Sequence, residues 1–307
     1  MDNLFHVSTA PHIRDSITTK NIMYDVILAL IPATIFGIYQ FGIDAFLVVS
    51  VAIITSLLSE YLYQRFMKLP ITVYDGSAIL TGLLLALCLS SSMPLWMVAL
   101  GSVFAIIVVK QLFGGLGQNF MNPALAARCF LLISFAGKMN SFVNIDATSS
   151  ATALALLRNG EDVNLFNMFM GNISGTIGET STIALLIGAL YLIYKKVISP
   201  KIPLAVFVSF SVIIFISGDF SLDYLLKQIC GGGLIIGAFF MATDYVTSPI
   251  TPNGKIIYGL IIGILAAVFR LYGNTPEGMS FAIIISNLLV PLIEKVTIPK
   301  IKGKGGK

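Results

Sequence analysis

Apolar residues in this chain come in long, nearly unbroken runs separated by short polar breaks. Ten runs stand out, roughly Tyr24–Tyr39, Ala45–Tyr63, Ser77–Ser91, Leu95–Leu112, Pro123–Ala136, Thr182–Tyr194, Leu204–Gly218, Leu225–Ala242, Ile256–Leu271 and Met279–Leu292. A helix needs about 20 apolar residues to cross the hydrocarbon core of a bilayer. The pattern therefore predicts an all-α polytopic membrane protein with about ten transmembrane helices. Several runs are short or carry glycine, which predicts helices that do not all cross fully. The Gly231–Gly233 run is the clearest interruption.

Composition agrees. Of 307 residues, 56% are hydrophobic and 11% charged, with a mean hydropathy of +0.90. A soluble domain carries roughly 25% charged residues, so this chain cannot cover a water-facing surface. The net charge of +4 does not point to nucleic acid, because the basic residues are spread along the chain rather than gathered on a face. The residues before the first run lack the basic start, apolar core and cleavage site of a signal peptide, so the mature chain is expected to begin at Met1. The Gly/Lys-rich end, Lys300–Lys307, reads as a solvated tail near anionic headgroups.

Lys and Arg also set the orientation. With the N-terminus cytoplasmic, fourteen of them fall inside and four outside (Lys138, Arg158, Lys227 and Arg270), while Arg128 lies within a run. Both termini are then cytoplasmic, and the long polar interval 137–181 is extracytoplasmic.

The two halves of the chain resemble each other. The segment from Gly82 to Pro94 matches Gly237 to Pro249 in length and in Gly/Pro placement, and Lys110-Gln-Leu-Phe-Gly114 echoes Arg270-Leu-Tyr-Gly273. Five runs per half force the second copy to enter from the opposite side, which predicts two inverted five-helix repeats with sites near the bilayer middle. The expected units are residues 1–136, the loop 137–181, and residues 182–307 with the basic tail.

Four stretches are candidates for chemistry. Gly114-Gly-Leu-Gly-Gln-Asn119-Phe-Met-Asn122-Pro123 reads either as a cytoplasmic turn with a helix cap or as a place where backbone and amides approach a flavin edge. It is not a dinucleotide fingerprint, since no βαβ pattern surrounds it. Arg128, six residues into a run, either snorkels to the surface or faces a polar cavity or cofactor. Asp244 ends the eighth run and, with Asp25, Glu60 and Asp75, is one of the acids beside apolar segments. No local stretch supplies the several oxygens a hard cation needs, so Asp25 and Asp244 are only first candidates for a cation path, and no metal site is expected. Asp146-Ala-Thr-Ser149-Ser150-Ala151-Thr152 is a Ser/Thr-rich loop with small neighbours that leave a hydroxyl open to attack on phosphorus. Taken alone, such a stretch is usually just a loop. Cys88, Cys129 and Cys230 read as small buried hydrophobes, too few to ligate an iron–sulfur cluster with four thiolates. His6 and His12 read as surface residues.

Taken together, these residues give the chain a family resemblance. It resembles the D subunit of the Rnf ion-translocating ferredoxin:NAD oxidoreductase and, more distantly, the B subunit of the sodium-translocating NADH:quinone reductase. The likeness covers nearly the whole chain. It rests on Asp75-Gly-Ser77, Gly114-Gly-x-Gly-x-Asn119-x-x-Asn122-Pro-Ala124, Gly237-Ala-Phe-Phe-Met-Ala-Thr-Asp244 and Asp146-x-x-Ser149-Ser150-Ala151-Thr152. The last fits the family's flavinylation motif. The sequence departs from the family's pattern at Tyr245, where proline is expected.

The resemblance implies a urea- or ammonium-channel-like fold and a place in the prokaryotic cytoplasmic membrane. It implies FMN bound covalently at Thr152 through a phosphoester, installed outside the cytoplasm by a dedicated flavin transferase. It further implies a non-covalent riboflavin, placed near Asn119, Asn122, Arg128 and Asp244. The partners it implies are the other Rnf subunits, including an extracytoplasmic flavoprotein and a cytoplasmic NAD-binding subunit. The implied role is electron relay coupled to movement of Na⁺ or H⁺, with no complete active site in this chain alone. An inverted-repeat channel or transporter for a small solute, and a cofactor-free anchor subunit, are the competing readings. Neither gives Asp146–Thr152 a role.

Overall fold

The structure is a computed structural model that describes residues 18–139, 141–143, 149, 150, 152–273 and 278–299. Asp146, Ala151, His6, His12 and the basic tail lie outside the described residues, and only the backbone of Ser149 and Ser150 is described.

The chain begins with α1 (Thr19–Phe66), in which the first two predicted runs meet end to end. They part at Gly42, whose φ of 69° breaks the helical backbone between Gln40 and Asp44. After it come α2 (Ser77–Leu87), α3 (Leu95–Val103, continued by a wider turn to Lys110 and a tight one to Phe113), α4 (Pro123–Ser134) and a single turn, α5 (Ala136–Met139). The polar interval holds a two-residue antiparallel pair, β1 (Phe142–Val143) with β2 (Ser149–Ser150), and two short helices, α6 (Ala153–Arg158) and α7 (Leu165–Met170). The second half is α8 (Thr182–Tyr194), α9 (Lys201–Ser217), α10 (Leu222–Cys230), α11 (Leu234–Ile236, continued by a wider turn to Met241), α12 (Pro252–Tyr272) and α13 (Met279–Thr297).

Among the described residues, α1, α3 with its extension, α12 and α13 are long and apolar enough to cross a membrane. Along the predicted run Leu225–Ala242, α10 and α11 with its extension are bent by 67° at Gly231–Gly233, the geometry of a broken span or a re-entrant loop. Helices α2, α4, α8 and α9 have 11, 12, 13 and 17 residues, below the length of a full crossing. The protein is thus a helical polytopic membrane protein with four crossing-length helices among the described residues, or five if the bent pair is one span.

Helix exteriors are apolar. Ile35, Ile187, Leu204 and Ile216 are all more than half exposed, as suits side chains facing lipid. Inside, small residues let helices approach. A Cβ on Gly82 of α2 would lie 2.7 Å from the Ala52 carbonyl oxygen and 2.8 Å from Ser56 Oγ of α1. Gly259 and Gly263 of α12 pack as closely on α9. Lipid tails are as apolar as leucine, so such packing replaces the hydrophobic drive between helices. Gly82→Val is expected to destabilise the bundle by about 1–3 kcal/mol, read as a lower melting temperature in detergent.

Candidate functional site

Two places gather polar groups, and α4 joins them. The first is a half-open cleft with a free volume of about 80 Å³, below the usual range of about 300–1,000 Å³ for ligand pockets. Its polar lining includes Ser77, Lys110, Asn119, Asn122 and Asp244, set among Ile22, Val26, Leu80, Leu84, Phe239 and other apolar groups. Asn122 caps α4: its Oδ1 accepts from the N–H groups of Ala124 (3.1 Å) and Leu125 (3.3 Å), with Pro123 at the first helical position. Its Nδ2 donates to the Met241 carbonyl across the two halves of the chain. Asn119 Nδ2 donates to the Met121 carbonyl.

Asp244 accepts from Thr247 Oγ1 at 3.0 Å and from the backbone N–H groups of Tyr245 and Val246. Proline at 245 would remove one of these donors. The Tyr245 hydroxyl donates to the Val197 carbonyl. Beyond Asn122, the Asn287 amide satisfies its neighbours in one orientation: it accepts from the Asn122 N–H and donates to Tyr258 Oη and the Thr247 carbonyl.

Lys110 enters the same cleft from the wider turn after α3. It is 2% exposed and donates to Glu60 Oε2 at 2.7 Å and to Ser77 Oγ at 2.6 Å. Ser77 Oγ in turn donates to Asp75 Oδ1 at 2.5 Å, and Gln64 donates to Glu60. Sequence reasoning counted Lys110 only as an inward charge. The signal was present, because an ionisable residue inside an apolar run is a functional candidate by default.

The second place surrounds Thr152. This residue caps α6, with its Oγ1 accepting from the Ala155 N–H at 3.3 Å, and it is 6% exposed. A small space of about 10 Å³ beside it is lined by Thr152, Ile173, Gly175, Glu179 and Gly232, among others. That is about the room of one water, so a group esterified at Oγ1 would lie outside it. The cap uses Oγ1 only as an acceptor, and an ester oxygen keeps that capacity. The hydroxyl therefore fits a phosphoester without loss of the cap.

The loop carrying Thr152 is seated on the bend between α10 and α11. Ala153 and Met168 are buried against Cys230, and a Cβ on Gly231 would meet Leu154 Cδ2 at 2.7 Å. Lys227 of α10 bonds Asp162 Oδ1 at 2.6 Å and pairs with Asp223. The Lys227 hydrogen bond, followed by its charge, holds the Asp162 carboxyl below its ordinary value. A depressed value means that the tie stabilises above the unfolded carboxyl's pKa of about 3.9 and fades as pH falls through the folded one. Because Asp162 is exposed, the effect is small. Asp162→Asn is expected to speed tryptic cutting after Arg158 a few-fold at neutral pH.

Arg128 does not line the cleft. It lies six residues along α4 from Asn122, about 9 Å of helix rise, and is 7% exposed. Its Nη1 donates to Ser280 Oγ of α13 at 2.8 Å and lies 3.5 Å from Glu179 Oε1. Glu179 belongs to the Thr152 space and was missed from the sequence. Asp25 is also apart from the cleft and accepts from Tyr191 Oη at 2.8 Å. Among the described residues no three His, Cys, Asp or Glu side chains gather to hold a metal ion.

Comparison with known proteins shows the family. The NQR2, RnfD, RnfE family profile matches residues 6–303. The chain is 46% identical over 305 residues to the D subunit of the Na⁺-translocating ferredoxin:NAD⁺ oxidoreductase complex of Acetobacterium woodii, covering 97% of this chain and 95% of that one. It is 41% identical over 317 residues to the D subunit of the proton-translocating ferredoxin:NAD⁺ oxidoreductase complex of Clostridium ljungdahlii, covering 97% and 96%. It is 32% identical over 350 residues to the D subunit of the ion-translocating oxidoreductase complex of Actinobacillus succinogenes, covering 98% and 99%. The chain belongs to the NQR2, RnfD, RnfE family, whose members similar to it are D subunits of ion-translocating oxidoreductase complexes.

Proposed function

We propose that this chain is the membrane subunit that relays electrons between a covalent FMN at Thr152 and a second flavin, riboflavin, in the cleft, coupled to translocation of Na⁺ or H⁺. The observation that carries the reading is the placement of α4. Its capping residue Asn122 lines the cleft, and its Arg128 pairs with the carboxylate that shares a space with Thr152. One short helix thus links the two polar places. Asn119, Asn122 and Asp244 are the groups that would hold the second ring's polar edge. Arg128 belongs to the Thr152 side.

When bound, the flavins supply the one- and two-electron chemistry, and the protein fixes their separation and electronics. Thr152 Oγ1 would hold the FMN phosphate as an ester, with FAD as donor, AMP as leaving group and the hydroxyl proton lost. Because Thr152 is buried, a transferase would have to reach Oγ1 before α6 is seated on α10. The cleft's inner wall pairs Lys110 with Glu60 and Ser77. These fixed groups order the charges beside any cation that balances a reduced ring in a low-dielectric interior. Relatives' names divide between sodium and protons, so the ion depends on finer differences between these sequences.

Two inverted five-helix repeats in about ten spans remain the architecture we favour. The paired segments noted above end in Lys110 and Arg270. Lys110 reaches α1 at Glu60 and the start of α2 at Ser77. Arg270 bonds the carbonyl of Gln228 in α10 and lies 5.0 Å from the Phe210 ring of α9. Similar partners at matching places support the repeat, and the basic-residue count puts the two cations on opposite faces.

The reading is tested by flavin fluorescence of the chain on a denaturing gel, made in cells that hold the transferase. A bright band is expected, and a dark one would reject the covalent site. Orientation is tested separately. A cysteine placed near Arg158 is expected to react with an impermeant thiol reagent from outside, and one near Lys196 is not. The native cysteines are buried and give little background.

A further inference from the structure

A basic pocket opens between the turn after α8 and the turn that enters α12. Its free volume is about 400 Å³, within the usual range of about 300–1,000 Å³ for ligand pockets. Lys196, Ser199, Ser248 and Lys255 line it, with Tyr245, whose hydroxyl ties the two turns together through the Val197 carbonyl. Local folding explains neither lysine. Lys196 follows the end of α8 with a φ of 58°, the left-handed position at a helix end that favours glycine. Lys255 is the fourth residue of α12, where the helix dipole disfavours a cation. Both charges nevertheless converge on one space, and among the described residues neither has an ion-pair partner. Ser248 adds a third group. It is 8% exposed and lines the pocket, and its hydroxyl makes no hydrogen bond among the described residues. Two cations and a spare hydroxyl suit the oxygens of a phosphate.

The flanking helices indicate where that phosphate comes from. Helix α9 exposes Leu204, Val208, Val212 and Ile216, and α12 exposes Ile256, Leu260, Ile264 and Val268. Steps of four residues make each set a stripe along its helix, about 18 Å long. Each stripe starts near the pocket end of its helix. A phospholipid fits both parts, with its phosphate on the lysines and its acyl chains along the stripes. Basic pockets between membrane helices are suited to anionic headgroups. We propose that this pocket binds the phosphate of an anionic phospholipid, held by Lys196, Lys255 and Ser248. The proposal needs no flavin at either polar place and stands apart from that reading.

The test is amine acetylation of the purified, delipidated complex in neutral detergent, mapped lysine by lysine by peptide mass, with phosphatidylglycerol, phosphatidylcholine or inorganic phosphate added. Phosphatidylglycerol is expected to slow acetylation of Lys196 and Lys255 several-fold, while Lys195 and Lys201, neighbours outside the pocket lining, change little. Lys196→Gly suits the left-handed turn, so it removes a charge without loosening the fold, which its melting temperature checks. It is expected to weaken lipid protection of Lys255 about five-fold, what one lysine contributes near an anionic surface. Ser248→Ala is expected to weaken it in the same direction. Equal protection by phosphatidylcholine, or equal protection of Lys195 and Lys201, would mean general coverage by lipid and overturn the proposal. Equal protection by inorganic phosphate would assign the pocket to a soluble ligand, and lysines unreactive under every condition would assign it to a neighbouring subunit. Either result overturns the lipid reading, as does full protection of Lys255 in Lys196→Gly.

Discussion

Thr152→Val is expected to abolish in-gel flavin fluorescence of this chain, and Thr152→Ser to keep it. Valine matches threonine in shape but has no oxygen to esterify. It also removes the α6 cap, in which Oγ1 accepts from the Ala155 N–H. That loss costs about 1 kcal/mol, too little to unfold a helix held by Ala153, Leu154 and their contacts with the α10 end. Serine restores both oxygen and cap. A dark valine band beside a bright serine band therefore reports the attachment chemistry rather than a folding defect. Residual fluorescence in the valine variant would place the link on another hydroxyl.

The second large effect is expected at Lys110. Lys110→Met leaves Glu60, which is fully buried, with Gln64 as its remaining side-chain donor. Removing one partner of a buried pair costs about 3–5 kcal/mol, a large share of the roughly 5–15 kcal/mol that separates folded from unfolded chains. The expected outcome is a sharp drop in yield and melting temperature in detergent. Glu60→Gln/Lys110→Met removes both charges together and is expected to recover most of the loss. A single variant as stable as wild type would show that Glu60 is not held by Lys110.

How much of this was legible in the sequence differs by residue. The break in α1 was readable, because Gln40, Gly42 and Asp44 interrupt an apolar run. So was the bend at Gly231–Gly233. The bounds of α8 match the apolar run, Thr182–Tyr194, and α4 ends two residues before its run, but α2 stops at Leu87, four residues short of its run. There the Ile177 and Gly178 N–H groups bond the Leu89 and Leu87 carbonyls at the end of α2, a pairing that local pattern cannot show. The same inserted segment hides Glu179. In sequence it sits in a polar interval and looks solvated, and only tertiary packing buries it against Arg128. Arg128 was flagged as costly and needing a partner, but was grouped with Asn119, Asn122 and Asp244. A helix turns its faces by about 100° per residue, and six residues suffice to carry Arg128 away from the cleft. The proposal for Thr152 rests on the whole motif, since a lone Ser/Thr-rich loop reads as a loop.

The most direct check is the mass of the tryptic peptide Met139–Arg158 from the natively assembled complex. A mass heavier by FMN less one water, with the modification mapped to Thr152 by fragmentation, is the predicted result. An unmodified peptide would contradict it and leave a helix bundle without the covalent electron carrier.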